Sequence, residues 1–315
     1  MALLGINAAF THAVEPGKPS KTAVVTLQLR ALGAKLPAPE LRNPDNLAVR
    51  LLGAQERALL REMPMGEVYA DMDFAMAWRK MPEIQHRVFL HVLARTRFFD
   101  DALHRAVGEG AKQLVILGAG YDSRAYRLQR LLRNTTVFEL DYPPTQEYKR
   151  RRVREALGKA PVNLRYVPID FSQQDLGAVL QEAGYRADRK TFFLWEGVTM
   201  YIPEAAVTAT LRFVASHSAP GSQVAFDYEH EDAVRGNHND AVLKASNARL
   251  ASIGEPHIFG FPGENAEAFV GRMGLLVRED LSTEEVTRRY LTGDDGVTLG
   301  EERWSNGLCL AEVPA

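Results

Sequence analysis

Short apolar runs alternate with helical patterns along most of the chain. The run at 114–117 has no polar alternation, which is typical of a strand buried on both faces of a sheet. Strands are predicted at Leu114–Leu117, Thr136–Leu140, Leu164–Ile169, Thr191–Trp195, Ser222–Asp227, Leu275–Asp280 and Gly307–Glu312. Helical crossovers between the early strands and a closing pair at the end indicate an α/β fold. Its sheet should be doubly wound, seven-stranded and mostly parallel.

Helical periodicity dominates the N-terminal part and recurs between the strands. The predicted helices are Lys21–Gly33, Asn46–Arg61, Glu83–Val107, a run after 122 to Arg133, Pro144–Leu157 and Pro203–His217. We therefore predict an N-terminal helical cap at 1–85 and a core at 86–315. The segment from about 230 to 274 mixes helix and loop, and we expect it to be inserted over a pocket.

Composition and charge exclude several classes of function. The chain has 315 residues, of which 46% are hydrophobic and 25% are charged, as in globular proteins. A net charge of −2 gives no electrostatic reason to expect nucleic acid or an anionic membrane as a partner. The single cysteine, Cys309, excludes a disulfide framework and a thiolate metal site. No targeting or membrane-spanning run is evident, so we expect a cytoplasmic protein; the oligomeric state stays open.

The turn after the first strand is the strongest functional signal. Gly118 and Gly120 let the backbone turn sharply and let a ligand come close. Asp141 ends the next strand, where a carboxylate can accept both ribose hydroxyls of a nucleoside. Ser123 replaces the third glycine of the dinucleotide fingerprint, and Asp122 would repel a pyrophosphate. S-adenosylmethionine, which has no phosphate, fits this turn better than NAD; the alternative is an ordinary strand–turn–helix unit.

Polar residues stand at the ends of the other predicted strands too. Asp170, Glu196 and Asp227 each follow or end a strand, and strand ends meet at one edge of a parallel sheet. Together with Asp141 they place four carboxylates around one crevice, which is costly unless something cationic or hydrogen-bond-donating lies between them. The sequence therefore favours a ligand that carries an ammonium, a sulfonium or hydroxyl groups.

The segment 62–82 is unusually rich in methionine. It holds five of the chain's eight methionines (Met63, Met65, Met72, Met76 and Met81), with Tyr69, Phe74 and Trp78 between them. Flexible, polarizable methionines can line an adaptable apolar pocket. The alternative is gap-filling in a small helical core.

Four motifs together resemble a known family. They are Ala94-Arg95-Thr96 with Asp100, Leu117-Gly118-Ala119-Gly120-Tyr121-Asp122-Ser123-Arg124-Ala125-Tyr126-Arg127-Leu128, Phe138-Glu139-Leu140-Asp141-Tyr142-Pro143, and Glu196-Gly197-Val198-Thr199-Met200-Tyr201-Ile202-Pro203. From about residue 87 onward, the sequence resembles the leucine carboxyl methyltransferase-like branch of the class I S-adenosylmethionine-dependent methyltransferases. The resemblance implies their Rossmann-like fold and S-adenosylmethionine as the cofactor.

The resemblance also implies roles for single residues. Arg95 would bind the methionine carboxylate, Gly118 and Gly120 would pass beneath the methionine part, and Asp141 would hold the ribose. Asp170 and Phe171 would flank adenine, and Glu196 would lie near the amino acid moiety. Members that methylate peptides use an N-terminal lysine, for which Lys21 is the candidate here.

The acceptor has to be argued separately, because specificity lies in the cap and the insertion. We expect methylation of an oxygen, carboxylate or hydroxyl, on a small and largely apolar molecule. A hydroxyl needs a general base, and His230 is the candidate, with Tyr201 as a positioning hydroxyl. The alternatives are a protein C-terminus as acceptor, a silent cofactor-binding protein, and a metal-assisted enzyme. The metal of such an enzyme could bind to the acidic residues after the fifth strand. We favour interpreting these residues as a solvated loop, so no metal is expected.

Overall fold

A twisted sheet of seven strands forms the centre of the protein. The computed structural model describes residues 19–63, 67–171, 173–263, 265–303 and 306–315. The strands are β1 (Gln113–Leu117), β2 (Thr136–Asp141), β3 (Leu164–Pro168), β4 (Thr191–Trp195), β5 (Gln223–Glu229), β6 (Leu276–Leu281) and β7 (Asn306–Glu312). Their order is β3-β2-β1-β4-β5-β7-β6, and β7 runs antiparallel to both of its neighbours. The predicted doubly wound, mostly parallel sheet is confirmed.

Helices cover both faces of this sheet. They are α1 (Lys21–Gly33), α2 (Ala48–Leu51), α3 (Ala54–Glu62), α4 (Phe74–Lys80), α5 (Glu83–Gly108), α6 (Arg124–Arg127), α7 (Pro143–Leu157), α8 (Leu176–Glu182), α9 (Glu204–Ser216), α10 (Glu231–Arg235), α11 (Ala241–Ser252), α12 (Glu267–Gly271) and α13 (Thr283–Val286). Because strand side chains alternate, Leu114 and Ile116 of β1 join the apolar cluster with α1 and α5. Val115 and Leu117 join the cluster with α8 and α9 on the other face.

Two predicted helices are wrong in extent. The single helix expected from Asn46 to Arg61 is instead α2 and α3, separated at Leu52 and Gly53. Gly53 has an extended backbone, and the Glu56 carboxylate accepts its N–H at 2.9 Å, so a new helix begins there. The run expected from 122 to Arg133 contains only the short α6 and a 3₁₀ turn at Leu131–Asn134.

The N-terminal helices are fixed to the turn after β1. Arg30 of α1 donates to the Tyr121 carbonyl at 3.0 Å. The Tyr121 hydroxyl donates to Glu56 at 2.9 Å, and the Ser123 hydroxyl donates to Asp45 at 2.6 Å. These groups are all buried, so the bonds are shielded from water and hold the turn in one conformation. The N-terminal helices and the loop between them thus support the turn directly.

None of the helices in the described part of the chain is both long enough and apolar enough to span a membrane.

Candidate active site

A cavity of about 430 Å³ opens at the C-terminal ends of the parallel strands. Its floor is the turn after β1, and its walls come from α1, α5, the loop after β4 and the segment from α11 to residue 258. Of the residues predicted from sequence, those that line it are Arg95, Gly118, Gly120, Asp141, Phe171, Glu196 and Tyr201. Asp170 and His230 do not line it. The strand-end crevice is therefore also the place where most of the predicted side chains meet.

Both glycines of the turn have conformations that favour glycine. Gly118 has φ 66° and Gly120 has φ 43°, in the left-handed region. A Cβ on Gly118 would lie 2.5 Å from a methyl carbon of Val198, so a side chain there would collide with the loop after β4. The turn is thus a bare backbone surface facing the cavity.

Asp141 is oriented by this turn. Its carboxylate accepts the backbone N–H of Gly120 and, at 2.7 Å, that of Tyr142. Burial raises the pKa of Asp141 to about 6, and the two backbone hydrogen bonds oppose that rise. Asp141 forms no ion pair with any described residue. Its charge is therefore stabilised mainly by N–H groups, with a smaller electrostatic contribution from Lys149, and its free lone pairs are available to hydroxyl donors in the cavity.

Two other strand-end acids, Glu196 and Asp227, are neutralised by arginines of the chain itself. Arg95 lies 3.1 Å from Glu196 and 3.0 Å from Asp227. Burial alone would raise the pKa of Asp227, but Arg95 and His91 hold it at about 2. Arg124, fully buried, contacts Glu196 at 2.7 Å. The cationic groups expected between these carboxylates are thus arginines of α5 and α6, so Glu196 and Asp227 do not by themselves require a cationic ligand.

Asp122 is neutralised in the same way. Its carboxylate pairs with Arg124 and also accepts the Arg124 backbone N–H at 2.7 Å. Burial would raise the pKa of Asp122, but Arg124 lowers it to about 2. Asp122 therefore stays ionised, yet its field is largely cancelled within 3 Å. Repulsion of phosphate by Asp122 is weaker than the sequence argument assumed.

Asp170 lies beside the cavity but not on its wall. The flanking Ile169 and Phe171 line the cavity, while the Asp170 backbone N–H donates to the side chain of Gln174 at 2.9 Å. Phe171 thus remains the candidate for contact with an adenine ring, and the contact predicted for Asp170 stays a prediction.

The predicted base His230 is placed elsewhere. Its Nδ1 lies 3.3 Å from the Gly263 carbonyl, and its ring packs edge-on against Tyr228. A different histidine, His257, lines the cavity and packs edge-on against Tyr201, with ring centroids 4.8 Å apart. The structure therefore separates the predicted pair His230 and Tyr201 and brings His257 to Tyr201 instead.

Sequence reasoning missed several polar residues of the cavity wall. These are His91 on α5, Arg249 on α11, Glu255 and His257. Glu229 at the end of β5 also lines the cavity; the sequence argument includes it only in the acidic loop of the metal-assisted alternative. Glu255 accepts the backbone N–H groups of Lys21 and Thr22 at 2.8 and 3.0 Å, which joins the segment after α11 to the start of α1. No local pattern in the sequence indicates the four missed residues.

Lys21, the candidate from peptide-methylating relatives, does not line the cavity. Its Nζ donates to the Ile253 carbonyl at 3.3 Å. The side chain thus takes part in the contact between α1 and the insertion.

The Met-rich segment is mostly core. Among the described residues of this segment, Met63 alone lines the cavity. Phe74 and Trp78 pack against each other and against Phe89 of α5. Gap-filling in a helical core is therefore the better interpretation for the described part. Met65 lies outside the described residues.

Across the described ranges, no group of three or more His, Cys, Asp or Glu side chains is placed so that it could hold a metal ion.

Comparisons with known proteins agree with this geometry. A family model described as leucine carboxyl methyltransferase matches residues 23–215. YktD of Bacillus subtilis, whose name assigns it provisionally to the S-adenosyl-L-methionine-dependent methyltransferases, is 32% identical over 200 residues, or 64% of this chain and 66% of its own. A similarly named protein of Mycobacteroides abscessus is 34% identical over 224 residues, 71% of each chain. The chain thus spans about two thirds of the length of these relatives.

Solved structures share the fold. A DUF574 family protein from Streptomyces avermitilis superposes with a TM-score of 0.61 at 13% identity, over 96% of this chain and 100% of that one. A Thermobifida fusca protein, described provisionally as a methyltransferase, superposes with a TM-score of 0.57 at 15% identity, over 96% of this chain and 97% of that one.

Proposed function

The chain belongs to the leucine carboxyl methyltransferase family, and we propose that it transfers the methyl group of S-adenosylmethionine to an oxygen of a small, largely apolar molecule. The observation that carries the proposal is the buried carboxylate of Asp141 beside the bare glycine turn. Two backbone N–H groups orient this carboxylate, and its remaining lone pairs suit the two hydroxyls of a ribose.

The residues around the turn fit the rest of the cofactor. Gly118 and Gly120 line the cavity, so the methionine part can lie against bare backbone. Arg95 lines the cavity through a side chain that Glu196 and Asp227 already fix, so it offers a carboxylate a pre-positioned cation. Phe171 offers a ring to the adenine. The cofactor supplies an electrophilic methyl on a sulfonium, and the residues of this chain hold and align the acceptor oxygen.

The apolar walls favour a small acceptor. Beyond the strand ends, apolar side chains of four segments face the cavity: Val25, Met63, Val88, Val92, Leu250, Ile253 and Ile258. Such a wall suits a compact apolar molecule with one or two polar groups. The connection between Glu255 and the start of α1 lies across one side of the cavity, which leaves less space for a folded protein's C-terminus.

A test begins with the cofactor alone. Titration calorimetry should show that the protein binds S-adenosylmethionine and S-adenosylhomocysteine and binds NAD much more weakly. Labelled cofactor is then incubated with a panel of phenols, carboxylic acids and a leucine-terminated peptide. Transfer to the peptide alone would contradict the small-molecule acceptor, and an N- or C-methylated product would contradict an oxygen acceptor. Binding without transfer to any acceptor would favour a silent cofactor-binding protein.

A further inference from the structure

One side of the cavity carries a histidine that the cofactor roles leave unexplained. His257 lines the cavity, and its side chain is only 6% exposed. Its Nδ1 is buried and makes no hydrogen bond to any residue that the structure describes. A buried polar atom without a partner destabilises the fold, so its retention calls for a ligand or a task.

The neighbours of His257 suit proton transfer. The Glu229 carboxylate lies 3.6 Å from Nδ1, just beyond hydrogen-bond distance, and the Tyr201 ring packs against the imidazole. A small movement would let Glu229 accept the Nδ1 proton, which leaves Nε2 to accept a proton from a ligand. Both Glu229 and Tyr201 line the same cavity, close to the loop after β4 that holds Glu196.

From this arrangement we propose that His257, supported by Glu229, is the general base for the methyl transfer and that the acceptor group is a weakly acidic hydroxyl, such as a phenol. The inference rests on the proposed function and names the acceptor group. The acceptor O–H bond breaks as the new O–CH₃ bond forms, and the S–CH₃ bond of the sulfonium breaks with its electron pair left on sulfur. The proton passes to His257, and Glu229 stabilises the resulting imidazolium.

The charge state of His257 agrees with this role. Its pKa is lowered to about 4, mainly by burial; Asp227 opposes this shift, and nearby His91 adds to it. The imidazole is therefore neutral at pH 7, so it can accept a proton. A carboxylate acceptor would already be ionised at this pH and would need no base. It would also meet Glu229, which is a like charge when ionised, on the same wall.

Another cavity residue gives the competing interpretation. Arg249 lines the cavity, and its guanidinium forms no ion pair or hydrogen bond with any residue in the described part of the chain. Burial lowers the pKa of Arg249, as expected for a cation without an anionic partner. If the methylated group were a carboxylate, Arg249 and not His257 would be the residue that the reaction needs.

The experiment compares 2-naphthol with 2-naphthoic acid, which share an apolar body and differ in the acceptor group. Wild type, His257→Asn, Arg249→Met and the control His230→Asn are each assayed with labelled cofactor. Naphthol should be methylated, and His257→Asn should lower kcat by about 10²-fold or more, as for loss of a general base. His230→Asn, outside the cavity, should match wild type. Unchanged affinity for S-adenosylhomocysteine verifies that each variant is folded.

A pH profile separates a base from a structural residue. Wild type should be nearly flat from pH 5.5 to 8, because the base is lost only as pH falls through a pKa well below 6.5. In His257→Asn the rate should rise about tenfold per pH unit toward the acceptor's own pKa, roughly 10 for a phenol. If His257→Asn does not fold, Glu229→Gln should still lower kcat about tenfold, since a charge that stabilises the imidazolium is lost.

Three results would overturn the assignment. The first is methylation of the naphthoic acid at a rate that falls only in Arg249→Met. The second is methylation of naphthol at the same rate by His257→Asn and by wild type. The third is no transfer to either compound by a protein that binds the cofactor. Failure to bind S-adenosylmethionine would instead refute the proposed function itself.

Discussion

Replacing Asp141 with asparagine should separate cofactor affinity from stability. The carboxylate is buried, and burial raises its pKa to about 6. Above that pH it is a charge stabilised mainly by two backbone N–H groups and to a smaller extent by Lys149. An acid whose pKa is raised from 3.8 to about 6 in the folded state destabilises that state as pH rises through this window. The full effect above pH 6 is on the order of 2–3 kcal/mol.

Asparagine removes this destabilisation but adds a cost of its own. Its single acceptor oxygen can serve only one of the N–H groups of Gly120 and Tyr142, and an unsatisfied N–H costs about 1–3 kcal/mol. The two effects nearly cancel, so the unfolding free energy of Asp141→Asn at pH 7 should lie within about 1 kcal/mol of wild type. Affinity should fall, since two charge-assisted bonds to ribose become neutral ones. The loss is about 2–3 kcal/mol, or roughly 30- to 150-fold.

Asp122→Asn is the matched control, because it removes another buried acid beside the same turn. Asp122 pairs with the fully buried Arg124, so its loss should lower stability clearly in urea denaturation. Calorimetry with S-adenosylhomocysteine gives the affinity of each variant. Unchanged affinity in Asp141→Asn would mean that this carboxylate does not hold the ribose. A loss of stability in Asp141→Asn as large as that in Asp122→Asn would refute the electrostatic argument.

Further predictions concern α5, the insertion and pH. Arg95→Lys should weaken cofactor binding by about tenfold or more, because lysine lacks the forked guanidinium that contacts both Glu196 and Asp227. Arg97→Lys, outside the cavity, should change cofactor affinity less than about threefold. Equal changes in the affinity of the two variants, measured by calorimetry, would contradict the role of Arg95. Glu255→Gln should speed hydrogen exchange at the start of α1, because the acceptor of two backbone N–H groups loses its charge; unchanged exchange would refute the role. Burial disfavours the charged form of His91, but the carboxylates of Asp227 and Glu302 raise its pKa to about 9. Its contribution to stability is thus complete below pH 6.5 and is lost as pH rises through about 9. In urea denaturation, the difference in unfolding free energy between wild type and His91→Gln should therefore become smaller as pH approaches 9.

The sheet was predictable because its signals are local. The central strands β1, β2, β4 and β5 are mostly apolar and buried. The turn after β1 shows its conformation through Gly118 and Gly120, since each takes a positive φ that other residues rarely adopt. The position of Asp141 follows from the same unit, because parallel strands end at the same edge. By contrast, the break between α2 and α3 depends on one side-chain cap, Glu56 on Gly53, which competes with an otherwise continuous helical pattern.

The partners of the charged groups were not predictable. Arg124 stands four residues after Gly120 in the sequence, but its contact with Glu196 joins positions 72 residues apart. His257 reaches Tyr201 because the Ile258 backbone N–H donates to the Met200 carbonyl at 2.8 Å, a pairing without any local pattern. His230 was favoured since it follows a strand directly, yet the chain turns away from the cavity at that point.

The distribution of charge in the cavity separates its structural acids from those that a ligand can use. Glu196 and Asp227 are already paired with Arg95, so a ligand gains little from them unless it displaces an arginine contact. Asp141 has only backbone partners, and a hydroxyl donor there strengthens an existing network at little cost. The same reasoning applies at His257, whose Nδ1 has no hydrogen-bond partner among the described residues: in the proposed reaction Glu229 completes Nδ1, and Nε2 is left for the acceptor hydroxyl. A ligand should therefore be recognised mainly where the protein leaves its own polar groups incomplete: at Asp141 for the ribose and at His257 for the acceptor.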